Sequence, residues 1–512
     1  MGPSGIDNER GTSVYRHGIP RRGLLASAVG AGAAVALGGR GSALAAERSR
    51  HRQRYEPTPE SLARHPVARW FRQGKFGIFI HWGAYAVPHW GDDAWSSEWY
   101  LYAMNAYAKG GVYEHHRAAY GQDYPYDAFL SRFRAERFDA HSWVRLFERA
   151  GARYFVLTSK HHDGFQLFPN SASNRNSALI GPRRDLVGEL FRAARGTGLK
   201  RGLYYSLGEF YNPALGTAPV NPYTREPVPY TGYKPVTDYV EEYEHVHLRT
   251  LIHRYDPDIL WGDGHGSHDF AGGAGHIFRP ERWDWRSDEI LARYYNHAED
   301  RARPKEVMVN DRFIASHADY PAIEGDKPSY ALRDAPWEAC LTMSRSWGYM
   351  DPTYRIKSKE KLVQLLVDIV SKNGNLLLNI GPRADGTIPD WQRERLLAIG
   401  EWLDVNGQAV YESRPWRRAE DGPLRYTLGD DGHFNIITLT RPGPRLTAPA
   451  DLPVRDGDRI RLLGHPSHRL RWSRTTTGIE IELPASGTTR GPLADQGEAY
   501  PMVLSVANGG RS

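Results

Sequence analysis

The chain has little cysteine, no long apolar segment after its first 45 residues, and nearly balanced charge. Its 512 residues include one cysteine, Cys340, so no disulfide can form within the chain. No later segment is apolar for long enough to span a bilayer. The formal net charge is +6, and about half of it comes from arginines in residues 1–45. The rest is too small for a phosphate-binding surface, so we expect neither a nucleic-acid partner nor stable membrane insertion.

The N-terminus has the pattern of an export signal. Arg21 and Arg22 precede an alanine-rich apolar stretch over residues 24–37, and small residues allow cleavage between Ala45 and Ala46. The arginine pair resembles a twin-arginine signal, whose pathway exports folded proteins. We therefore expect a secreted, extracellular protein. A transmembrane anchor is the alternative, but the stretch is short and rich in Gly and Ala rather than Leu and Ile.

Strand-like apolar runs alternate with helical periodicities between residues 66 and 414. In one helical segment Trp143, Leu146, Phe147 and Ala150 fall at i, i+3, i+4 and i+7. This alternation predicts an α/β fold with parallel strands and crossover helices, an irregular (β/α)₈ TIM-like barrel. Seven strands are recognisable, at 76–81, 154–158, 201–206, 258–262, 307–310, 340–344 and 375–380.

The remaining regions differ from the barrel region in composition and in the structure that they predict. Residues 46–65 are polar and are predicted to be a linker or N-terminal arm after the signal of residues 1–45. Residues 415–512 contain short β-type runs separated by Gly, Pro and Asp turns, which predict a C-terminal antiparallel β-sandwich. Two long insertions, 211–235 and 265–287, follow strand ends, so we expect them to shape a substrate entrance.

Aromatic residues are abundant, with 15 Trp and 29 Tyr. Aromatic faces stack on the C–H faces of sugars, so this richness is consistent with carbohydrate binding, but we expect most of these side chains to belong to the core.

Asp263 ends the apolar run Ile259-Leu-Trp-Gly-Asp263, which then turns at glycine. Barrel enzymes place their chemistry at the C-terminal ends of strands, so Asp263 is a candidate nucleophile or base. A turn or helix N-cap residue is the alternative, because Asp is common there.

Histidines follow two other strand-like runs in the same way. His81 ends the run from Phe76, and His161 and His162, followed by Asp163, end the run from Tyr154. Such residues bind metal ions or hydrogen-bond the hydroxyls of a sugar. Neither of these two runs has a His-x-His or His-Glu-x-x-His spacing, and adjacent residues on a strand point to opposite faces, so we favour hydroxyl binding.

Further candidates pair acids with aromatics or lie at strand ends. Glu98 precedes Trp99, Glu338 follows Trp337, and Arg312 ends another strand. Cleavage of a glycosidic bond requires at least two carboxyl groups, because one stays ionised while the other donates a proton. The candidate partners of Asp263 in such a pair are Glu324 and Glu338.

Taken together, these segments closely resemble the α-L-fucosidases of glycoside hydrolase family 29. The resemblance covers roughly residues 66–416, and its motifs fall in the family's order. The matching stretches are Lys75-Phe-Gly-Ile-Phe-Ile-His-Trp-Gly83, Glu98-Trp-Tyr100, Ser159-Lys-His-His-Asp-Gly-Phe165, Gly202-Leu-Tyr-Tyr-Ser206, Trp261-Gly-Asp263, Asn310-Asp-Arg312, Ser346-Trp-Gly-Tyr349 and Gly374-Asn-Leu-Leu-Leu-Asn-Ile-Gly-Pro382.

The resemblance implies an exo-acting retaining α-L-fucosidase that removes terminal α-L-fucose from glycans or oligosaccharides without metal or organic cofactor. Asp263 matches the nucleophile, and Glu324 is the better match to the acid/base, with Glu338 the alternative and Asp326 third. Residues that match substrate-binding positions are His81, Glu98, Trp99, His161, His162, Tyr205, Arg312 and Trp347, the last standing near the methyl group of fucose.

Two other functions remain open at this stage. One is a metal-dependent hydrolase built on His81, His161 and His162. The other is a carbohydrate-binding protein that keeps the fold without turnover.

Overall fold

A curled sheet of eight parallel strands is the centre of the fold. The computed structural model describes residues 54–106, 111–217, 219–264, 284–327, 330–351, 353–465, 469–484 and 500–507. The strands are β1 Phe76–Ile80, β2 Tyr154–Lys160, β3 Lys200–Ser206, β4 Ile259–Asp263, β5 Met308–Val309, β6 Ala322–Glu324, β7 Trp337–Thr342 and β8 Gly374–Ile380. The expected α/β fold with an irregular (β/α)₈-type barrel is confirmed.

Every strand of the sheet lies beside its neighbours in sequence, in the order β5-β4-β3-β2-β1-β8-β7-β6. The two ends of this order, β5 and β6, are linked by an isolated parallel bridge between Asn310 and Tyr320. The hydrogen bond from the Ala322 N–H to Asp311 Oδ1, 2.9 Å long, also crosses from one to the other. We call this junction the seam of the barrel.

The strand that sequence patterns missed is β6. It has three residues, none of them fully buried, and it pairs only with β7 as a ladder. Because it has no continuous apolar run, no periodicity marks it as a strand. It nevertheless brings Glu324 to the seam.

Helices surround the sheet, as the alternating pattern predicts. The helix Ala140–Arg149 begins at Asp139, whose side chain accepts from two N–H groups of the first turn, and it buries Trp143, Leu146 and Phe147. The α-helices are α1 Pro59–Leu62, α2 Arg69–Gly74, α3 Tyr100–Ala106, α4 Gly111–Tyr120, α5 Ala128–Arg132, α6 Ala140–Arg149, α7 Leu186–Ala193, α8 His245–Thr250, α9 Ser287–Glu299, α10 Lys359–Ser371 and α11 Asp390–Asn406. One π-helical turn, Val240–Glu244, precedes α8 and another, Leu251–Tyr255, follows it.

The barrel interior is filled by aromatic and apolar side chains beneath the C-terminal ends of the strands. Phe79, Tyr154, Tyr204 and Trp261 are all buried in one cluster. Every residue of β1, β2 and β4 is buried, as expected for strands that are covered on both faces. The polar residues at the tops of these strands therefore rest on a packed base.

The C-terminal part forms two antiparallel sheets, in the strand orders β13-β16-β11-β10-β9 and β12-β15-β14. They enclose a separate apolar core. The strands are β9 Ser413–Asp421, β10 Leu424–Gly429, β11 Phe434–Thr438, β12 Arg445–Ala448, β13 Arg459–Leu462, β14 Trp472–Arg474, β15 Ile479–Glu482 and β16 Met502–Ala507. The predicted antiparallel sandwich is confirmed.

Some sequence predictions concern residues outside the described part. The predicted signal, residues 1–45, and most of the 265–287 insertion are among them. The limits of the four predicted regions stay predictions. In the described ranges, no helix is long and apolar enough to cross a membrane.

Candidate active site

Asp263 lies at the C-terminal end of β4 and is held by side chains from three other segments. Tyr204 of β3 donates its hydroxyl to Oδ2 at 2.6 Å. Arg312, just beyond β5, donates from Nη2 and Nε to Oδ1 at 2.7 and 3.1 Å. His162, just beyond β2, places Nε2 3.4 Å from Oδ2. Four successive strands thus converge on one carboxylate.

The surroundings of Asp263 keep it ionised. Burial alone would raise its pKa, but the Arg312 guanidinium, His162 and the Tyr204 hydroxyl together lower it to about 2. The side chain still has 11% of its surface exposed, so a substrate atom can reach it. A buried, ionised and accessible carboxylate is suited to attack an electrophilic carbon.

His162 turns toward this carboxylate, and His161 lies beside His162, because β2 has already ended. The β2–β3 register shifts between Thr158 and Lys160, and the strand stops at Lys160. The two imidazole rings lie 4.3 Å apart, and His161 lies 5.5 Å from His81. The expectation that adjacent histidines would face opposite sides applies only within a strand.

Hydrogen bonds orient two of these histidines. Asn379 Oδ1 accepts from His81 Nδ1 at 2.7 Å, while the Asn379 amide group donates to the Trp347 carbonyl. The Ser206 hydroxyl donates to the Gly208 carbonyl and lies 2.5 Å from His162 Nδ1, while His162 Nε2 faces Asp263. In the neutral His81 ring Nε2 is an acceptor, which suits a sugar hydroxyl.

Burial keeps all three histidines uncharged at neutral pH. It lowers the pKa of His81 to about 3 and that of His162 to about 4, and it lowers the pKa of His161 well below its ordinary value. The site therefore combines neutral hydrogen-bonding rings with one anion and one guanidinium. Within the described ranges, no group of three or more His, Cys, Asp or Glu is arranged to hold a metal ion.

Aromatic side chains line the histidines on two sides. The Trp347 ring lies 5.0 Å from His81, and the Trp99 ring lies 5.6 Å from His162. Glu98 is buried between these walls, where its Oε2 accepts from the Gly348 N–H at 2.9 Å. Burial raises the pKa of Glu98. Trp347 and Trp99 thus lie beside His81 and His162, and Glu98 binds the segment that carries Trp347.

Glu324 is joined to Asp263 through one guanidinium. Arg312 Nη1 donates to Glu324 Oε2 at 2.7 Å, while Nη2 and Nε of the same group contact Asp263. The Glu324 side chain is 45% exposed, against 11% for Asp263. The two carboxylates therefore stand on opposite sides of Arg312, one sheltered and one open to solvent.

The other two acid candidates lie elsewhere. Glu338 is fully buried, and it accepts from the Tyr154 hydroxyl at 2.7 Å and from Trp261 Nε1 at 2.9 Å. Asp326 forms an ion pair with Lys357 Nζ at 3.0 Å and is half exposed. Neither contacts Asp263 or Arg312 in the hydrogen bonds of the described residues.

Comparison with known proteins places this geometry in a family. The model of the α-L-fucosidase family matches residues 42–408, which is most of the chain. The chain belongs to the α-L-fucosidase family. Its members are glycoside hydrolases, so the protein is an enzyme of that class, as the motifs predicted. The family match begins at residue 42, whereas the resemblance of the motifs begins at about residue 66.

Individual relatives agree with the family match. The rat tissue α-L-fucosidase is 37% identical over 371 residues, which cover 71% of this chain and 74% of the relative. The α-L-fucosidase of Dictyostelium discoideum is 35% identical over 86% of this chain and 90% of its own length. The crystal structure of the Thermotoga maritima α-fucosidase in complex with fucose is similar with a TM-score of 0.71 and 34% identity, covering 89% of this chain and all of that one.

One of the expected fucosidase site residues does not reach Asp263. The Tyr205 hydroxyl contacts His247 Nδ1 at 3.0 Å, on the outer side of β3, whereas Tyr204 points inward to Asp263. The error is one of strand parity, since Tyr204 pairs in register with Trp261 of the barrel interior. Sequence reasoning also missed Ser206 and Asn379, because residues that orient histidines have no spacing signature.

The raised pKa of Glu338 gives a testable dependence of stability on pH. Burial raises this pKa from 4.5 to about 7, so the folded enzyme holds the proton more tightly than the unfolded chain. The stabilisation is fully present below pH 4.5 and is lost as the pH rises through 7, by about 3 kcal/mol. We expect Glu338→Gln, which cannot titrate, to lack this loss in urea unfolding between pH 4 and 8. Parallel curves for wild type and variant would contradict the assignment.

Proposed function

We propose that the enzyme releases terminal α-L-fucose with retention of configuration, by a double displacement in which Asp263 is the nucleophile and Glu324 the acid/base. The observation that carries the proposal is the Arg312 bridge, which holds a sheltered, ionised carboxylate and an open one around the same point. A related α-fucosidase binds fucose on the same fold. In a retaining glycosidase the two carboxyl groups are about 5–5.5 Å apart.

In the first step, the Asp263 carboxylate attacks the anomeric carbon while the glycosidic C–O bond breaks. Glu324 donates its proton to the leaving oxygen, and a fucosyl ester of Asp263 forms. The exposure of Glu324 suits it to reach a leaving group of variable structure. The low pKa of Asp263 keeps the nucleophile ionised over the whole working range of pH.

In the second step, water replaces the leaving group. The Glu324 carboxylate takes a proton from water, whose oxygen attacks the anomeric carbon, and the ester bond to Asp263 breaks. Asp263 returns as a carboxylate, Glu324 as an acid, and α-L-fucose is released. Neutral His81, His161 and His162 supply ring nitrogens for the sugar hydroxyls, and Trp347 supplies an apolar face for the methyl group of fucose.

The nucleophile can be identified by rescue with an added anion. We expect Asp263→Gly to lower kcat for 4-nitrophenyl α-L-fucoside on the order of 10⁴-fold, because no group remains to form the ester. Azide in the vacated space attacks the anomeric carbon directly and gives β-L-fucosyl azide. The products are identified by NMR. Azide-independent turnover by the variant would contradict the role of Asp263.

The acid/base can be identified by its dependence on the leaving group. We expect Glu324→Gln to slow hydrolysis of an unactivated fucosyl disaccharide about 10²–10⁴-fold, and to affect 2,4-dinitrophenyl fucoside much less, since that leaving group needs no proton. Azide then gives the α-L-fucosyl azide. Asp326→Asn, two residues away and paired with Lys357, is the matched control and keeps wild-type rates. The same leaving-group pattern in Glu338→Gln instead would assign the role to Glu338.

We also propose that residues 1–45 direct export by the twin-arginine route and are removed before Ala46. The support is the Arg21-Arg22 pair, the apolar stretch and the small residues that follow it. The expected result is exported enzyme that begins at Ala46 by N-terminal sequencing. Replacing both arginines with lysine, which keeps the charge, is expected to retain the protein inside the cell. Export of the double variant at the wild-type level would contradict this route.

A further inference from the structure

A buried ion pair lies directly behind the site histidines. Lys160, the last residue of β2, places Nζ 2.9 Å from Glu209 Oε1, and both side chains are 0% exposed. The Lys160 ammonium also lies 4.5 Å from the centre of the Tyr205 ring, on the outer side of the barrel sheet. Tyr205 therefore belongs to the surroundings of this pair.

Glu209 is the centre of a fully hydrogen-bonded cluster. It lies in the loop that follows β3, and its two oxygens accept hydrogen bonds from four side chains. The donors are Lys160 Nζ at 2.9 Å, Tyr230 Oη at 2.6 Å, Tyr243 Oη at 2.8 Å and Asn212 Nδ2 at 2.9 Å. These contacts lower the pKa of Glu209 against the effect of burial, so the carboxylate is ionised.

Both members of the pair lie within two residues of residues that contact each other at the site. Lys160 precedes His161-His162, and Glu209 precedes Phe210. The Phe210 N–H donates to the His162 carbonyl at 2.7 Å, and the two rings lie 5.3 Å apart. The ion pair and this hydrogen bond thus close a small ring of chain that includes His162.

The close packing around Gly164 is independent evidence that this ring of chain has little room to move. Its φ is +75°, and a Cβ there would lie 2.1 Å from Tyr230 Oη and 2.6 Å from Glu209 Oε2. Only glycine allows both the left-handed backbone and the close approach. The run Lys160 to Gly164 therefore combines site histidines with the residues that lock their backbone.

We propose that Lys160 and Glu209 are positioning residues that fix His162 against Asp263. The proposal rests on the proposed role of Asp263. A buried ion pair is a weak source of stability, because desolvation offsets the attraction. The stabilisation that the ion pair gives the fold therefore does not by itself explain why four donors bind Glu209. What the pair does supply is a single position for the backbone of His162, whose Nε2 lies 3.4 Å from Asp263 Oδ2.

The test removes the pair without leaving a buried charge. The double variant Lys160→Met/Glu209→Gln is neutral and close to isosteric. We expect it to fold, to lower kcat/KM for 4-nitrophenyl α-L-fucoside about 10²-fold, the scale of a 1 Å misplacement, and to weaken L-fucose binding in calorimetry. If the double variant does not fold, Glu209→Asp alone, which keeps both charges and shortens the acidic side chain by one methylene group, is measured in the same way.

A matched control separates positioning from stability. Lys372 is another buried lysine, paired with Asp368 Oδ1 at 2.8 Å, beside the C-terminal sheets. Lys372→Met/Asp368→Asn is expected to lower Tm and to leave kcat/KM and L-fucose affinity unchanged. If the Lys160/Glu209 variant does the same, or keeps wild-type kinetics and affinity, the positioning role is wrong. L-fucose affinity requires no turnover, so this result is distinguishable from an active Asp263→Gly, which would overturn the mechanism alone.

Discussion

The double contact of Arg312 is the interaction on which the site depends. One guanidinium binds Asp263 on β4 and Glu324 on β6, and Arg312 itself follows β5. It lowers the pKa of the first carboxylate and fixes the place of the second. Three strand ends are brought together by this residue. A lysine could not replace it, because a point charge lacks the planar fork that reaches two carboxylates at once.

Neighbouring side chains of the site are all buried but differ in charge, and this difference determines what the site can bind. Burial removes the charge of His81 and His162, while the Asp263 carboxylate keeps its charge in an equally buried place because a guanidinium is beside it. The site therefore presents neutral imidazole rings to the hydroxyls of a ligand and the Asp263 carboxylate to a carbon centre. This division of roles is typical of a site for an uncharged sugar. Placement of the neutral rings is in turn the task of residues such as Asn379, outside the contact surface.

The sequence was most informative where strands are long and apolar. Runs such as β1, β2 and β4 predicted the barrel and delivered His81, His161, His162 and Asp263 to its C-terminal edge. It was least informative where a single residue of register decides the outcome, as between Tyr204 and Tyr205, or where a strand is as short as β6. The ion pair behind His162 had no signature either, because Lys160 and Glu209 are brought together only by tertiary packing.

The seam has a consequence for how the enzyme fails on heating. The ring of the barrel is joined at the seam by an isolated bridge, so we expect it to open there before its continuous ladders melt. Arg312 and Glu324 face each other across the seam, so we expect inactivation to precede the loss of secondary structure. We expect a sugar that contacts both sides of the seam to protect it. Resistance to heat and turnover then depend on the same few residues, so we expect a substitution that stabilises the seam to change the activity as well.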